Sequence, residues 1–309
     1  MADRRIQVFH AVAKHLSFTK AADALFMTQP AVTFQIRQLE GELNTRLFDR
    51  AQGRITLTSA GAIALEYANR ILALSAELDS RMKELSGQLA GPLLIGASTT
   101  IADFLLPQIL GEFKARYPAV VPRLFVANSE AVQNRIAERS LDLGFIEGDS
   151  HLPTLGTDVC CEDELQVVCA PSHSLAKQNS ATPQSLTEHA YISRELGSGT
   201  REVIDHYLQK AGLAFDSLQV VMEAGSPEAL KGLAATGLGF AIMSRATVAK
   251  EVRLGELVRR PLSPRLIRHL SVVYPKERFQ SRLVSEFVQF AKERLAAMQD
   301  AYEHTAVIN

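Results

Sequence analysis

Over residues 1–90 the apolar positions recur with the period of a helix. Phe9, Val12, Ala13 and Leu16 form one stripe over residues 6–16. Ala21, Ala22 and Leu25 form a second, and Val32, Ile36 and Leu39 a third. Ser17 stands at the N-cap of the second helix and Thr28 at that of the third. Pro30 falls in the third helix's first turn, where a missing N–H costs nothing. Two short helices joined by a tight turn, with alanines that let them cross steeply, predict a helix-turn-helix. The second helix of that motif enters the major groove of DNA. With Val32, Ile36 and Leu39 turned inward, Gln29, Thr33, Phe34 and Arg37 point outward. Gln, Thr and Arg can bond base edges or phosphates, and Phe34 can meet a thymine methyl. A helical hairpin with a solvated polar face is the alternative.

Leu47-Phe48 reads as a short buried strand and residues 49–58 as a small hairpin with Gly53 in its turn. This is a wing, with Arg50 and Arg54 flanking its tip in reach of phosphates or a narrow minor groove. Residues 59 to about 89 contain no proline and predict a long helix. Ala68, Ile71, Ser75, Leu78, Met82, Leu85 and Leu89 alternate spacings of three and four, the seam of a two-stranded coiled coil. Such a seam implies a dimer reading an inverted-repeat site in double-stranded DNA. Gly91-Pro92 ends it. Beyond lie strands at 93–97, 123–127, 141–146, 164–170, 191–193, 218–223, 239–243 and 269–274. Helices fall at 100–117 (interrupted by Pro107), 129–139, 201–211, 227–236 and 279–298. Alternation of this kind means α/β sheets covered by helices.

The length of 309 residues suggests two or three domains, and 47% hydrophobic with 22% charged residues is ordinary for a globular chain. A net charge of −1 argues alone against a nucleic-acid binder, but residues 1–58 carry eight Lys/Arg against five Asp/Glu. No apolar run matches a signal peptide or a membrane span, so a cytoplasmic protein is expected. Cys160, Cys161 and Cys169 have no metal-binding spacing. Reduced, buried thiols are expected, with a redox switch at Cys160 or Cys161 as the alternative.

Two stretches suit an anion. Gly96-Ala97-Ser98-Thr99-Thr100 and Arg194-Glu195-Leu196-Gly197-Ser198-Gly199-Thr200-Arg201 each run from a strand into a helix start rich in hydroxyls. Free N–H groups and the helix dipole there favour an oxyanion. The expected effector contacts are Ser98, Thr99, Thr100, Ser198, Thr200 and Arg201, with Gly197 and Gly199 in the turn and Glu147 and Arg194 at the rim. Ordinary capped helix starts are the alternative. An enzyme finds little support: Gly197-Ser198-Gly199 is not a nucleophile elbow, and the eight histidines are scattered. A transport solute-binding protein would need export and has no use for residues 1–90.

Residues 16–61 resemble the N-terminal signature of the LysR-type transcriptional regulators. The shared positions include Ser17-Phe18-Thr19, Ala21-Ala22, Gln29-Pro30-Ala31, Ile36, Leu39-Glu40, Leu43, Leu47-Phe48, Arg50, Thr58 and Gly61. Phe34 departs from the basic residue many members carry. The resemblance implies a winged helix-turn-helix over 1–58, a linker and dimerisation helix over 59–90, and an effector domain over 91–309. That domain would have the two-subdomain α/β architecture of periplasmic binding proteins, subdomain I being 91–162 with 268–309 and subdomain II 163–267. Crossover strands are expected near 161–165 and 266–270. The DNA-facing set becomes Ser17, Thr19, Thr28, Gln29, Pro30, Thr33, Phe34 and Arg37, with Arg50 and Arg54 on the wing. Ala68, Ile71, Leu78, Met82 and Leu85 would dimerise, and a dimer of dimers is common in the family. Further likeness, in Leu105-Leu106-Pro107, Phe113, Leu141-Asp142-Leu143-Gly144 and Glu162-Asp163-Glu164-Leu165, is to the CysB-like, sulfite-sensing and CbbR-like branch. It implies sulfite, sulfate or a phosphorylated or carboxylated metabolite as a small anionic effector, with no cofactor, no metal and no catalysis. The alternative is a small-anion-binding protein or enzyme on the same scaffold.

Overall fold

The computed structural model describes residues 3–51, 54–84, 89–276 and 281–306. The chain divides into two compact units, with the boundary between Leu89 and Ala90.

The first unit opens with α1 (Arg4–His15), α2 (Phe18–Ala24) and α3 (Gln29–Glu42). Ser17 and Thr28 cap as the sequence implies: the Ser17 hydroxyl accepts from the Lys20 N–H at 3.2 Å and that of Thr28 from Ala31 at 3.4 Å. Leu16, read as the last residue of the first stripe, is instead its C-cap, in the left-handed region and exposed. Val32 and Ile36 are fully buried, joining Val8, Phe9, Phe18, Ala21 and Ala22 in one core. β1 (Phe48–Ala51) and β2 (Arg54–Leu57) pair antiparallel as the wing. Phe48 drives its ring between Phe9 and Phe18, with centroids at 5.4 and 5.9 Å. Glu40 fixes the wing's base, its carboxylate accepting from the Leu47 N–H at 2.8 Å. The Thr58 hydroxyl accepts from the Gly61 N–H at 2.9 Å and opens α4 (Ser59–Glu84).

The long helix corrects one expected seam position. Ala68 is buried in this unit's own core, turned away from the apolar stripe. Ile63, Tyr67, Ile71, Leu74, Leu78 and Met82 carry that stripe, all exposed. They too keep steps of three and four, so the seam is rotated relative to the one drawn through Ala68. Leu85 and the side chains of Arg50 and Arg54 lie outside the described residues.

The second unit is α/β. Its elements in order are β3 (Gly91–Ser98), α5 (Thr99–Phe104), α6 (Leu106–Arg116), β4 (Val120–Ala127), α7 (Ser129–Ala137), β5 (Leu143–Glu147) and β6 (Leu155–Cys169). Then come α8 (Pro183–Leu186), β7 (Ala190–Arg194), α9 (Gly199–Lys210), β8 (Gln219–Ala224), α10 (Pro227–Ala235), β9 (Ala241–Ser244), α11 (Ala249–Arg253), β10 (Val258–Pro275) and α12 (Arg282–Ala306). One six-stranded sheet has the order β4-β3-β5-β10-β6-β9, and β7 pairs with β8 in parallel. β6 and β10 are much longer than the runs that predicted them. They pair antiparallel from Leu155 with Pro275 to Cys169 with Val258, crossing from one subdomain into the other. Each subdomain has its own core: Phe113, Phe145 and Phe287 stack edge-on in the first, while Tyr191, Phe240 and Ile204 fill the second. Gly96 and Gly144 let α7 lie close on the first, since a Cβ at either would run into Val132.

Candidate functional site

Two places in the chain gather functional side chains, one in each unit. The first is the outer face of α3. Gln29, Pro30, Phe34 and Arg37 are exposed, and Thr33 is half-buried. Phe34 leaves 57% of its surface in water. Gln29 Nε2 donates to Thr33 Oγ1 at 3.0 Å, one helical turn on, which holds the amide and the hydroxyl on one line along the helix. Thr19 is exposed at the start of α2, and the Ser17 and Thr28 hydroxyls serve the caps described above. The turn between the helices carries Phe26 at φ +53°, with 99% of its surface exposed. That aromatic residue had no signal in the apolar pattern.

The second place is the cleft between the subdomains. Thr100, at the start of α5, and Thr200, in the first turn of α9, wall a narrow crevice of about 10 Å³, room for about one water, together with Arg194, Ser244 and Thr247. Pro227, Leu230, Ile242 and Met243 close it from the second subdomain. Ser98 and Ser198 are also buried; the Ser98 hydroxyl acts on the Glu147 carboxyl, and among the described residues Ser198 Oγ has no hydrogen-bond partner. A 12-residue helix α9 begins here, so its free N–H groups and dipole add to these hydroxyls.

At the cleft floor Arg268 of β10, 3% exposed, is the hub. Its Nε donates to Asp163 Oδ2 at 2.8 Å and its Nη1 to Thr200 Oγ1 at 2.7 Å, while Glu147 Oε1 stands 3.7 Å away. The Ser244 hydroxyl donates to the other Asp163 oxygen at 2.6 Å. Burial alone would raise the Glu147 pKa, but the Arg268 guanidinium, the Ser129 hydroxyl and Arg194 outweigh it. They hold the carboxyl below the usual glutamate range.

Several expected contacts are placed differently. Glu147 is not at the rim: it is 3% exposed and accepts from the Ser129 hydroxyl at 2.8 Å. Arg194 is also no rim residue but a buried wall, bonded to Glu195 and, through Nη2, to Thr99 Oγ1 at 3.1 Å. Arg201 turns away to Glu223 at 2.6 Å and stacks over Phe215 at 4.6 Å, because one residue of helix rotates it about 100° from Thr200. Gly197 and Gly199 serve the close approach of the subdomains. A Cβ at Gly197 would stand 2.5 Å from Glu130 Oε2, and one at Gly199 would stand 2.5 Å from the Glu147 carbonyl oxygen. Gly197 also has φ +81°. Arg268 was missed because its partners are remote in sequence. The cysteines are free, and burial pushes the Cys160 thiol up to about 11 and that of Cys161 to about 12, far from a reactive thiolate.

Comparison with known proteins gives matches to both units. Residues 4–62 match the family described as bacterial regulatory helix-turn-helix protein, lysR family, and residues 86–296 match the LysR substrate binding domain. A "Probable RuBisCO transcriptional regulator" of Porphyra purpurea is 35% identical over 291 residues, covering 92% of this chain and 91% of that one. The full-length CbnR structure complexed with its target DNA covers 95% of this chain and 100% of its own, with TM-score 0.69 and 22% identity. The regulatory domain of Synechocystis CcmR in complex with 2-PG covers 66% of this chain and 96% of its own, with TM-score 0.60 and 26% identity. The sulfur-assimilation side of the expected branch therefore finds no support. The similar regulators are those of RuBisCO. Among the described residues no helix is long and apolar enough to cross a membrane.

Proposed function

The chain belongs to the LysR family of DNA-binding transcriptional regulators, and from that premise we propose that it controls carbon-fixation genes in response to a small acid metabolite. The effector is a phosphorylated or carboxylated molecule, bound between the starts of α5 and α9, and its binding alters the grip on operator DNA. The observation that carries this reading is the crevice walled by Thr100, Arg194 and Thr200 at the N-terminus of α9. It is tight, rich in hydroxyl donors and bounded by both subdomains, so an oxyanion would enter only as the subdomains part and would set the angle between them. The RuBisCO regulators and the CcmR domain with 2-PG support the metabolite class.

DNA is read by Gln29, Thr33, Phe34 and Arg37 from the exposed side of α3, with Arg50 and Arg54 on the wing. Residues 1–58, 59–90 and 91–309 act as reader, dimerising linker and sensor. Two copies join along the open stripe of α4, from Ile63 to Met82, which gives two recognition helices for an inverted repeat. A dimer of dimers is the expected assembly.

The test is a titration of 2-PG, followed by operator retardation and by calorimetry, with the intact chain and with Thr100→Val. Thr100→Val should lose the ligand response while retarding DNA as before. An unchanged titration would remove the effector from this crevice.

A further inference from the structure

The open space of the cleft lies beside the crevice rather than in it. A cavity of about 250 Å³ stands between the subdomains, bounded by α5 and by the end of β9. Phe104 and Leu105, at the end of α5, line it from subdomain I together with Leu295 and Met298 of α12. Ile267 and Leu270 of β10 add to this lining, and residues 244–247 close the cavity from subdomain II. Its wall is thus largely hydrocarbon. An apolar cavity of about 150 Å³ admits benzene, so this one has room for a molecule of about two fused rings.

Charged groups also border the cavity, and each already has a partner. Asp163 accepts from Arg268 Nε at 2.8 Å and from the Ser244 hydroxyl at 2.6 Å. Glu164 accepts two parallel bonds from Arg265, both at 3.0 Å, and has Arg245 at 3.7 Å. Glu162 faces His269 at 3.7 Å. A charged ligand would have to break one of these pairs, whereas an uncharged one leaves them intact. Thr100 is built differently. It is 6% exposed and borders both the cavity and the crevice, and among the described residues nothing bonds its hydroxyl. A buried hydroxyl without a partner is costly until a ligand or a water supplies one.

We propose that this cavity is a second ligand site, for a small uncharged ring molecule with one hydrogen-bonding group. The ring lies against Phe104, Leu105 and Ile267, and its polar group bonds Thr100. Such a molecule touches both subdomains in their present spacing, so it favours the arrangement in which the crevice is shut. An oxyanion in the crevice favours the parted one. The two ligands therefore oppose each other, and by linkage each weakens the other's binding by the same factor. The opposition, unlike the site itself, rests on the effector reading of the crevice.

The test uses the full-length chain with indole as the probe, by calorimetry at constant ionic strength. The intact chain should bind indole with a Kd of about 1 mM or lower, and saturating indole should raise the Kd for 2-PG about fivefold or more. Ile267→Trp fills the cavity from a partly exposed position and should weaken indole binding at least about tenfold. Leu105→Phe fills it from subdomain I and covers the case of a poorly folded first variant. Val159→Trp adds the same ring at an exposed position outside the cavity and should stay within about twofold. No indole binding by the intact chain, or binding unchanged in both filling variants, would overturn the site. An equal loss in Val159→Trp would overturn it too. Indole binding that leaves the 2-PG titration unmoved would overturn the opposition. Absence of 2-PG binding, with indole binding and DNA retardation intact, would instead bring down the effector reading and leave the site standing.

Discussion

The face of α3 and the floor of the cleft hold polar side chains in opposite conditions. On α3, Gln29, Phe34 and Arg37 stand in water, and the bond from Gln29 to Thr33 joins neighbours a turn apart. In the cleft, Asp163, Glu147 and Thr200 are buried or nearly so and each is paired with Arg268 from an element far away in sequence. The reason is desolvation. An exposed donor is served by water until a duplex replaces it, whereas a buried charge needs a partner from the moment the chain folds. A surface that binds a large polar partner can therefore be left open. Polar groups inside the protein, in contrast, must be satisfied in advance by the chain itself.

Removing the hub should break this contrast most severely. Arg268→Ala leaves Asp163 and Glu147 buried without their cation, which costs about 3–5 kcal/mol. Chemical unfolding of the second unit should show the loss. Acid should sharpen it. The Glu147 pKa is depressed in the folded chain, so its contribution is fully present above the ordinary glutamate range and disappears as pH falls through the depressed value. In Arg268→Ala that acid-dependent part of stability should shrink to what Ser129, Arg194 and Ser98 still contribute. An unfolding curve like that of the intact chain would mean that water already screens the pair.

How much of this was legible in the residues follows the same divide. The caps at Ser17 and Thr28, the buried stripe of α3 and the hydroxyls at Thr100 and Thr200 depend on neighbours within a few positions, so spacing alone reveals them. Arg268 and Asp163 lie on β10 and β6 and meet only because those strands pair. Glu40 reaches the wing backbone at Leu47 in the same unannounced way. Ala68 misled because a spacing of three and four fits two neighbouring stripes of one helix, and only packing tells which is inside. Gly197 and Gly199 looked like an anion loop, but glycine is equally required where two pieces of chain nearly touch.

A smaller effect should test the open side of the comparison. Gln29→Ala removes an exposed side chain bonded to Thr33 one turn on, so stability should change by no more than about 0.5 kcal/mol. Operator affinity should fall by about 1–3 kcal/mol, with random DNA little affected, if Gln29 reads a base edge. Equal losses on both DNAs, measured by competition retardation, would reduce Gln29 to a phosphate contact. A large loss of stability would place it with the buried groups of the cleft.

The smallest effect should come from Phe26, the residue that fits neither condition. It holds a left-handed backbone at φ +53° with its ring almost wholly in water. An L-residue with a bulky side chain forfeits about 1–2 kcal/mol there, and the exposed ring recovers none of it by packing. Asparagine adopts that region more readily. Phe26→Asn should thus raise the melting temperature of the first unit slightly while leaving its core untouched. Operator binding decides what the strain is for. Unchanged affinity would make Phe26 a plain defect in the turn, whereas a loss that outweighs the gain in stability would put its ring, like Phe34, among the groups left open for the duplex.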